Sequence, residues 1–571
     1  MTRGLSKGLK IDFVNPPGGI DMADQLEAFK LVTGPLDKEF PGTVIRIPFR
    51  TQEQANASEI SSVTVTADNI LTFFEKFQAD VAESLLFMRN IERVTFSIDG
   101  KQLGETTILQ VEKIREARSA VKSAIIGMNS HSGAVPYQIS QKYKHNDCDI
   151  ELIGAYLVQH TIFDMHAQVP NELKSWAVET KALPWIALAA RLDEGCESPS
   201  YNGRIFVTLP LPVPLDYTRV NIHGAFALQR DRRHLWTDND ALGGTKLTEV
   251  DWNNFMFQVV IPVAWKQLLL ELTHHGVQVT NYFPLMPVST GSLWLNLTEA
   301  VLDQVLTERC PVWYSTTNQF LPLDEGFLDD GVNDDALLDV LERLNMPLFK
   351  QNPDQILNLL RSRRHGRTTV NATTVCSWLR QQTNPPLFSI SEAMCVLQYV
   401  CRDRKLGQLY DVPVFLTHNG QLRSLSQRCA TAKHGQFDSK FYVGTDEEAT
   451  LFDKSGELFL ALDKYPDFVS DQINAGILEL SEILNVERFG VGSFKKFCAE
   501  RLTPTVPFHL EYPETVKMSQ FCISFKWIQS LWSWLDQNSL AQVSEAVNLQ
   551  WLIPLDDGKS LCRALPHHRS G

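Results

Sequence analysis

Between Thr66 and Ile98 the spacing of apolar residues changes period, and this change constrains the fold more than any other feature of the chain. From Thr66 to Asn90 (TADNILTFFEKFQADVAESLLFMRN), Leu71, Phe74, Phe77, Val81 and Leu85 recur at intervals of three and four, as on a helix with one apolar face. A strand from Arg93 to Ile98 follows and closes on the turn pair Asp99-Gly100. Helix, strand and turn in succession predict an α/β layer. The alternation returns at Gly203 to Leu209 (GRIFVTL), then PLPVP, then a strand from Arg219 to Leu228 (RVNIHGAFAL). A helix from Asp251 to Leu272 comes next, turning Trp252, Phe255, Val259, Val263 and Trp265 toward one side, with a kink expected at Pro262.

The remaining elements are shorter. Strands are expected over Gly8 to Val14 and Thr43 to Phe49, the second at an edge or strand end because of Pro48. A helix from Met22 to Val32 has Asp21 as its cap. Cys148 to Ile153 reads as a strand running on toward Val158, and Leu173 to Thr180 as helical; the sheet order here is not legible. An apolar run, a tight polar turn and a second apolar step recur at Val412 to Leu425, at Trp551 to Leu561 and, more loosely, at Pro311 to Leu323. Asn419-Gly420 and Asp557-Gly558 are hairpin turns because both pairs tolerate positive φ. Helices separate these units, and the aromatic one near Phe525 to Leu535 is either core or a binding groove.

A chain of 571 residues is too long for one core and suggests several domains of roughly 150 residues. Its hydrophobic share of 44% against 21% charged is that of a globular protein. A net charge of -14 disfavours nonspecific attraction to nucleic acid or anionic membrane, and the clusters Arg361 to Arg364 and Arg230 to Arg233 do not reverse it. The N-terminus has no secretory apolar run, so a cytoplasmic chain is expected. Ten cysteines without a CxxC, and one isolated HxxC at His145 and Cys148, give no zinc-site pattern, and no metal is expected.

Phosphate-loop, zincin, nucleophile-elbow and dinucleotide motifs are absent from the sequence. The pairs Asp329-Asp330, Asp334-Asp335, Glu447-Glu448 and Asp556-Asp557 read as acidic turns or helix starts. The strongest polar cluster is Arg232-Arg233, beside His234 and Trp236. On a loop leaving a strand, such a fork could clamp a γ-phosphate offered by another domain. The alternative is a structural salt bridge to Asp231, Asp238 or Asp240, with Trp236 as a core anchor. Asp251-Trp252-Asn253 reads as a helix cap with a packed indole.

Taken in order, GLKIDF, DQLEAF, FPGTVIRIPFR, ESLLFMRNIERVTF, GRIFVTLPLPVP, VNIHGAFALQRDRRHLW and DWNNFMFQVVIPVAWKQLL resemble the sacsin family over nearly the whole chain. These are large cytosolic proteins of repeated modules, each opening with an ATPase lobe of the GHKL type found in heat-shock chaperones. The resemblance implies an α/β (α+β) chain: a C-terminal remnant of that lobe over 1–105, a middle-like α/β domain over 106–280, and helical and hairpin regions over 281–425 and 426–571. It also implies that Gly42 and Thr43 line a partial adenine site, and that Arg232 or Arg233 is a candidate catalytic arginine. The E-x-x-x-N-x-x-D helix, the D-x-G-x-G turn and the glycine-rich lid of that ATPase are missing from the sequence. Without them no cofactor is expected for the chain alone, while ATP and Mg²⁺ are expected where an upstream lobe is joined. Either the chain is a fragment of such a module, or it is a whole protein that kept the middle and helical parts. The expected function is a noncatalytic, chaperone-related segment that binds protein partners or clients. The alternatives are an ATPase part active only with the upstream half, and a purely structural repeat.

Overall fold

The computed structural model describes residues 27, 29–30, 34, 43–45, 49–59, 61–145, 148–192, 203–215, 218–237, 248–284, 292–329, 332, 334–349, 354–362, 369–382, 387–427, 440–494, 515–517, 524–537, 551–554 and 560–563. It is mixed α/β, and its chain forms two compact units. The first comprises Met1–Leu85, Asn90–Ile108 and Ile139–Ile153; the second comprises Leu86–Arg89, Leu109–Gln138 and Gly154–Gly571.

The described elements of the first unit include α1 (Gln52–Asn56), closed by a capping box on Thr51, and most of α2 (Ala67–Phe87). Thr66 and Asn69 cap α2 by exchanging backbone-to-side-chain bonds of 3.1 and 3.2 Å. Then come β1 (Arg93–Ile98) and β2 (Lys101–Ile108), an antiparallel pair turning at Asp99 and Gly100, whose φ values are 49° and 76°. The rings of Phe74 and Phe77 both pack on Phe96 of β1, each at 5.7 Å. The strand expected over Thr43 to Phe49 does not form at Thr43, Val44, Ile45 or Phe49, which have no regular structure. The expected strand Gly8 to Val14 and most of the helix Met22 to Val32 lie outside the described residues.

In the second unit α3 (Val111–Gly127) leads to β3 (His131–His145), and β4 (Cys148–Ile162) follows; both strands also contribute residues to the first unit. After α4 (Asn171–Thr180), β5 (Trp185–Arg191) runs antiparallel to the end of β4. The sheet continues with β6 (Gly203–Val207), β7 (Leu209–Leu215) and β8 (Val220–Gly224), in the order β4-β5-β8-β6-β7. β6 and β8 are parallel, and β7, which carries Pro210, Pro212 and Pro214, ends the sheet as the chemistry of proline requires.

Against this sheet lies one continuous helical run: α5 (Thr248–Phe255), a π-helical turn at Met256–Val260, and α6 (Ile261–His274). The π turn falls just before Pro262, whose missing N–H and bulky ring disturb the regular ladder at this point. The run Thr248–His274 is long and apolar enough to cross a bilayer, yet Trp252, Met256, Trp265 and Leu268 on it are buried in the largest core. That core takes in α7 (Ser292–Thr307) and the hairpin of β9 (Trp313–Tyr314) and β10 (Phe320–Leu321). β11 (Phe327–Leu328) follows.

A second core is formed by α8 (Asp335–Arg343), β12 (Leu348–Phe349), which pairs parallel to β11, α10 (Ala372–Gln381) and α11 (Ile390–Arg402). Between them in sequence lies α9 (Asp354–Ser362). The core is completed by the hairpin β13 (Pro413–Leu416) and β14 (Leu422–Ser424), by β15 (Phe441–Val443), and by α13 (Asp467–Ile483) with β16 (Val486–Arg488). A third, aromatic cluster joins α12 (Asp446–Phe452) to α14 (Phe525–Asp536) through Phe452, Phe489, Phe494 and Trp534. β17 (Thr515–Lys517), β19 (Ser560–Arg563) and β18 (Trp551–Pro554) form a small antiparallel sheet, in that order. The turn expected at Asp557-Gly558 lies outside the described residues.

Candidate functional site

The arginine pair stands on a tight reversal after β8. Leu228 and Leu235 bridge antiparallel. Gln229 N donates to His234 O at 2.9 Å, and Trp236 N to Ala227 O at 3.2 Å. At the tip Arg232 has φ 58°, a left-handed conformation uncommon for residues with side chains, and its N–H donates to Gln229 O at 2.9 Å. Asp231 organises this tip: Oδ1 accepts from Arg233 N at 2.9 Å, and Oδ2 bonds His234 Nδ1 at 2.7 Å. Those bonds, the Arg233 backbone first, hold the Asp231 carboxyl below its ordinary value.

The base of the turn is set by Asn253 of α5, which is fully buried. Its Oδ1 accepts from Ala227 N, and its Nδ2 donates to Ala227 O and Trp236 O, each at 2.9 Å. Trp252 Nε1 donates to Ala225 O at 2.8 Å, so the expected packed indole also ties down the approach to the turn. Asp251 is not the helix cap: α5 starts at Thr248, and Asp251 sits within its first turn. Arg232 and Arg233 are exposed, and neither guanidinium has a bonded partner among the described residues. Of the alternative salt-bridge partners, Asp231 is engaged by backbone and imidazole, while Asp238 and Asp240 lie outside the described residues. Thr43 is exposed and belongs to the first unit; Gly42 lies outside the described residues.

Two histidines form a buried row that sequence reasoning missed. In register across the sheet, His160 of β4 faces Ala187 of β5, which faces His223 of β8, which faces Phe206 of β6. His223 Nδ1 lies 3.0 Å from Phe206 O, the Phe87 ring stacks on it at 5.1 Å, and Trp185 meets it edge-on at 4.8 Å. Arg89 sits 4.9 Å over the Trp185 ring. Burial, reinforced by His223, His131 and Arg118, pushes His160 down to about 3. Burial and Arg89 push His223 down to about 4, although its bond to the Phe206 carbonyl opposes the shift. Both rings are therefore neutral at pH 7. His160 Nδ1 and Trp185 Nε1 are buried without partners among the described residues. The histidine of VNIHG was visible in a strand, but only the cross-strand register pairs it with His160.

A separate groove of about 690 Å³ runs between α12 and α14. Leu451, Trp527 and Trp534 line its apolar part, and Asp446, Glu447, Lys454 and Lys526 its charged part. Both indoles are tied back to α12: Trp527 Nε1 donates to Leu451 O at 2.6 Å, and Trp534 Nε1 to Glu448 Oε1 at 2.9 Å. Ile528, Leu531 and Leu535 are buried. The inner face of the aromatic helix is therefore core, and its flank lines the groove.

Sheet, helical cores, arginine turn and groove belong to a mixed α/β scaffold. Residues 3–110 match the family model of the Sacsin domain. The chain is 24% identical to human Sacsin over 254 residues, a stretch covering 42% of this chain and 5% of that protein. These matches show similarity to the sacsin family over part of the chain. No solved structure matches. The arginine turn and the groove both fall beyond the matched family segment.

Proposed function

We propose that the chain is a noncatalytic segment of a sacsin-like, chaperone-related protein, and that it holds protein partners or clients. The observation that carries this reading is the groove between α12 and α14, where two immobilised indoles meet charged side chains of both signs. An apolar floor with a polar margin suits an extended or helical peptide segment. Ser530 and Ser533 line the groove without bridging to α12, so arginine at both positions obstructs it and leaves the core untouched. Suppression of aggregation of a thermally unfolded model client is expected for the parent chain and not for the S530R/S533R variant. Equal suppression by both, with unchanged circular dichroism, sinks the groove reading, and no suppression by either favours a purely structural repeat.

The second reading, an ATPase part that works with an ATP-binding lobe, draws support from the arginine turn. A backbone fixed by Asp231 and Asn253 presents two exposed guanidinium groups, as electrostatic stabilisation of a transferring phosphoryl group demands. On this reading Thr43 belongs to the partial nucleotide site. The chain alone is expected to show no micromolar binding of ATP with Mg²⁺, measured by calorimetry; saturable micromolar binding would overturn that expectation. In a longer protein that hydrolyses ATP, Arg232→Ala or Arg233→Ala is expected to lower turnover more than nucleotide affinity.

A further inference from the structure

Three side chains converge beside the β13–β14 hairpin, of which Asp446 also lines the rim of the groove while His418 and Asp463 do not. His418 stands in its turn, Asp446 is the first residue of α12, and Asp463 lies in the 3-10 turn Leu462–Lys464. One potential ligand atom of each lies within 4.8 Å of the other two, and His418 Nε2 is 3.9 Å from Asp446 Oδ1. The three backbones are fixed independently. His418 N donates to Phe459 O at 3.1 Å, Ala461 N to Leu416 O at 2.9 Å, and Lys464 N to Ala461 O at 3.0 Å. Thr445 and Glu448 close a capping box around Asp446.

The charge balance at this corner is incomplete. Asp446 and Asp463 face each other, and neither is paired with a lysine or arginine among the described residues. Two carboxylates so placed repel, and a cation between them relieves the repulsion. Asp453, the neighbouring acid, is different: it accepts from Ser455 Oγ at 2.8 Å, Leu458 N at 2.6 Å and Phe459 N at 3.2 Å, so its oxygens are used in holding the loop. The His418 side chain is only 20% exposed, which limits its rotation, while Asp446 at 71% is free to adjust.

We propose that His418, Asp446 and Asp463 form a binding site for a divalent transition-metal cation of the zinc class. The donor set decides the class. An imidazole nitrogen favours zinc and its neighbours over Mg²⁺ or Ca²⁺, which prefer oxygen alone, and the absence of a thiolate from the three gives no preference for Cu(I). Ligand atoms around tetrahedral Zn²⁺ stand about 3.3 Å apart at bond lengths of about 2.0–2.2 Å. Rotation of the exposed carboxylates is the movement that closes the present spread. The fourth position is left for water. A bound ion would fasten hairpin, helix and 3-10 turn at one point.

The test uses the whole chain, titrated with ZnCl₂ by calorimetry and with CoCl₂ by visible absorption. The expected result is saturable zinc binding that His418→Ala and Asp463→Asn each weaken at least tenfold, with MgCl₂ failing to compete. Cobalt should give the intense absorption of a low-coordinate site in the parent and lose it in both variants. Zinc binding of parental strength in either variant places the metal elsewhere, on the cysteines for instance, and overturns the proposal, as does a parent chain that binds no zinc. Asp446→Asn gives an independent third arm should either variant fail to fold. His418→Ala and Asp463→Asn, whose side chains do not line the groove, should weaken zinc binding and leave client suppression unchanged, so this proposal and the client-binding reading fail separately.

Discussion

At the scale of the residue, Asn253 closes the arginine turn with three hydrogen bonds to Ala227 and Trp236. Asn253→Ala strands Ala227 N and Trp236 O, while Ala227 O keeps its bond from Trp236 N, and the change is expected to cost about 2–4 kcal/mol, read from the urea midpoint. A loss below about 1 kcal/mol would mean that the turn holds without it. The histidine row gives a second expectation, for acid. In the unfolded chain both rings take up protons below their ordinary value of 6.5; in the fold they resist until about 4 for His223 and about 3 for His160. The unfolded state therefore binds more protons between these limits, and stability, full above pH 6.5, falls as pH drops. At pH 5 the loss is about 2 kcal/mol per ring. Urea midpoints at pH 8 and pH 5 should differ less in His160→Leu than in the parent; an identical difference would remove His160 from the account. None of this was legible in the sequence, because both effects depend on strands and helices distant along the chain. The Trp252 indole was legible, since a large apolar residue on a helical stripe has few places to go but the core.

At the scale of the element, α14 is held to α12 by Trp534, which packs on Phe452 and Phe494 and donates to Glu448. Trp534→Ala is expected to cost about 3–5 kcal/mol where the unit unfolds cooperatively. Hydrogen exchange should locate the loss: amides of α14 should exchange faster while those of α6 keep their protection. Elements with a strong local signal were read well. α2 has its helical repeat, β1 its alternation and turn, and the β13–β14 hairpin its Asn-Gly pair, where Gly420 has φ 81°. β5 was missed because WIALAAR, buried almost throughout, is a short continuous apolar run without period, and such a run fits a helix equally. β2 was missed for the opposite reason: KQLGETTI is polar enough to read as loop until its partners on both sides are known. At Thr43 the alternating pattern suggested a strand that the described residues there do not form. The convergence of His418, Asp446 and Asp463 was hidden likewise, since no spacing rule joins a hairpin turn, a helix start and a 3-10 turn.

At the scale of the whole molecule, ordered phrases spread along the chain carried the family resemblance, and the family-model match to residues 3–110 and the similarity to human Sacsin agree with it. The mixed α/β class followed from the change of hydrophobic period, whereas the order β4-β5-β8-β6-β7 did not, because parallel pairing of β6 with β8 is a long-range choice. That order leaves β7 outermost, with prolines at 210, 212 and 214. Prolines two residues apart remove the N–H donors from one side of the strand, and the side that can do without them is the open one. A strand from another copy, or from an unfolded client, therefore meets a row of carbonyls there with no donors between them. That border of the second unit's sheet is thus unable to seed β-aggregation.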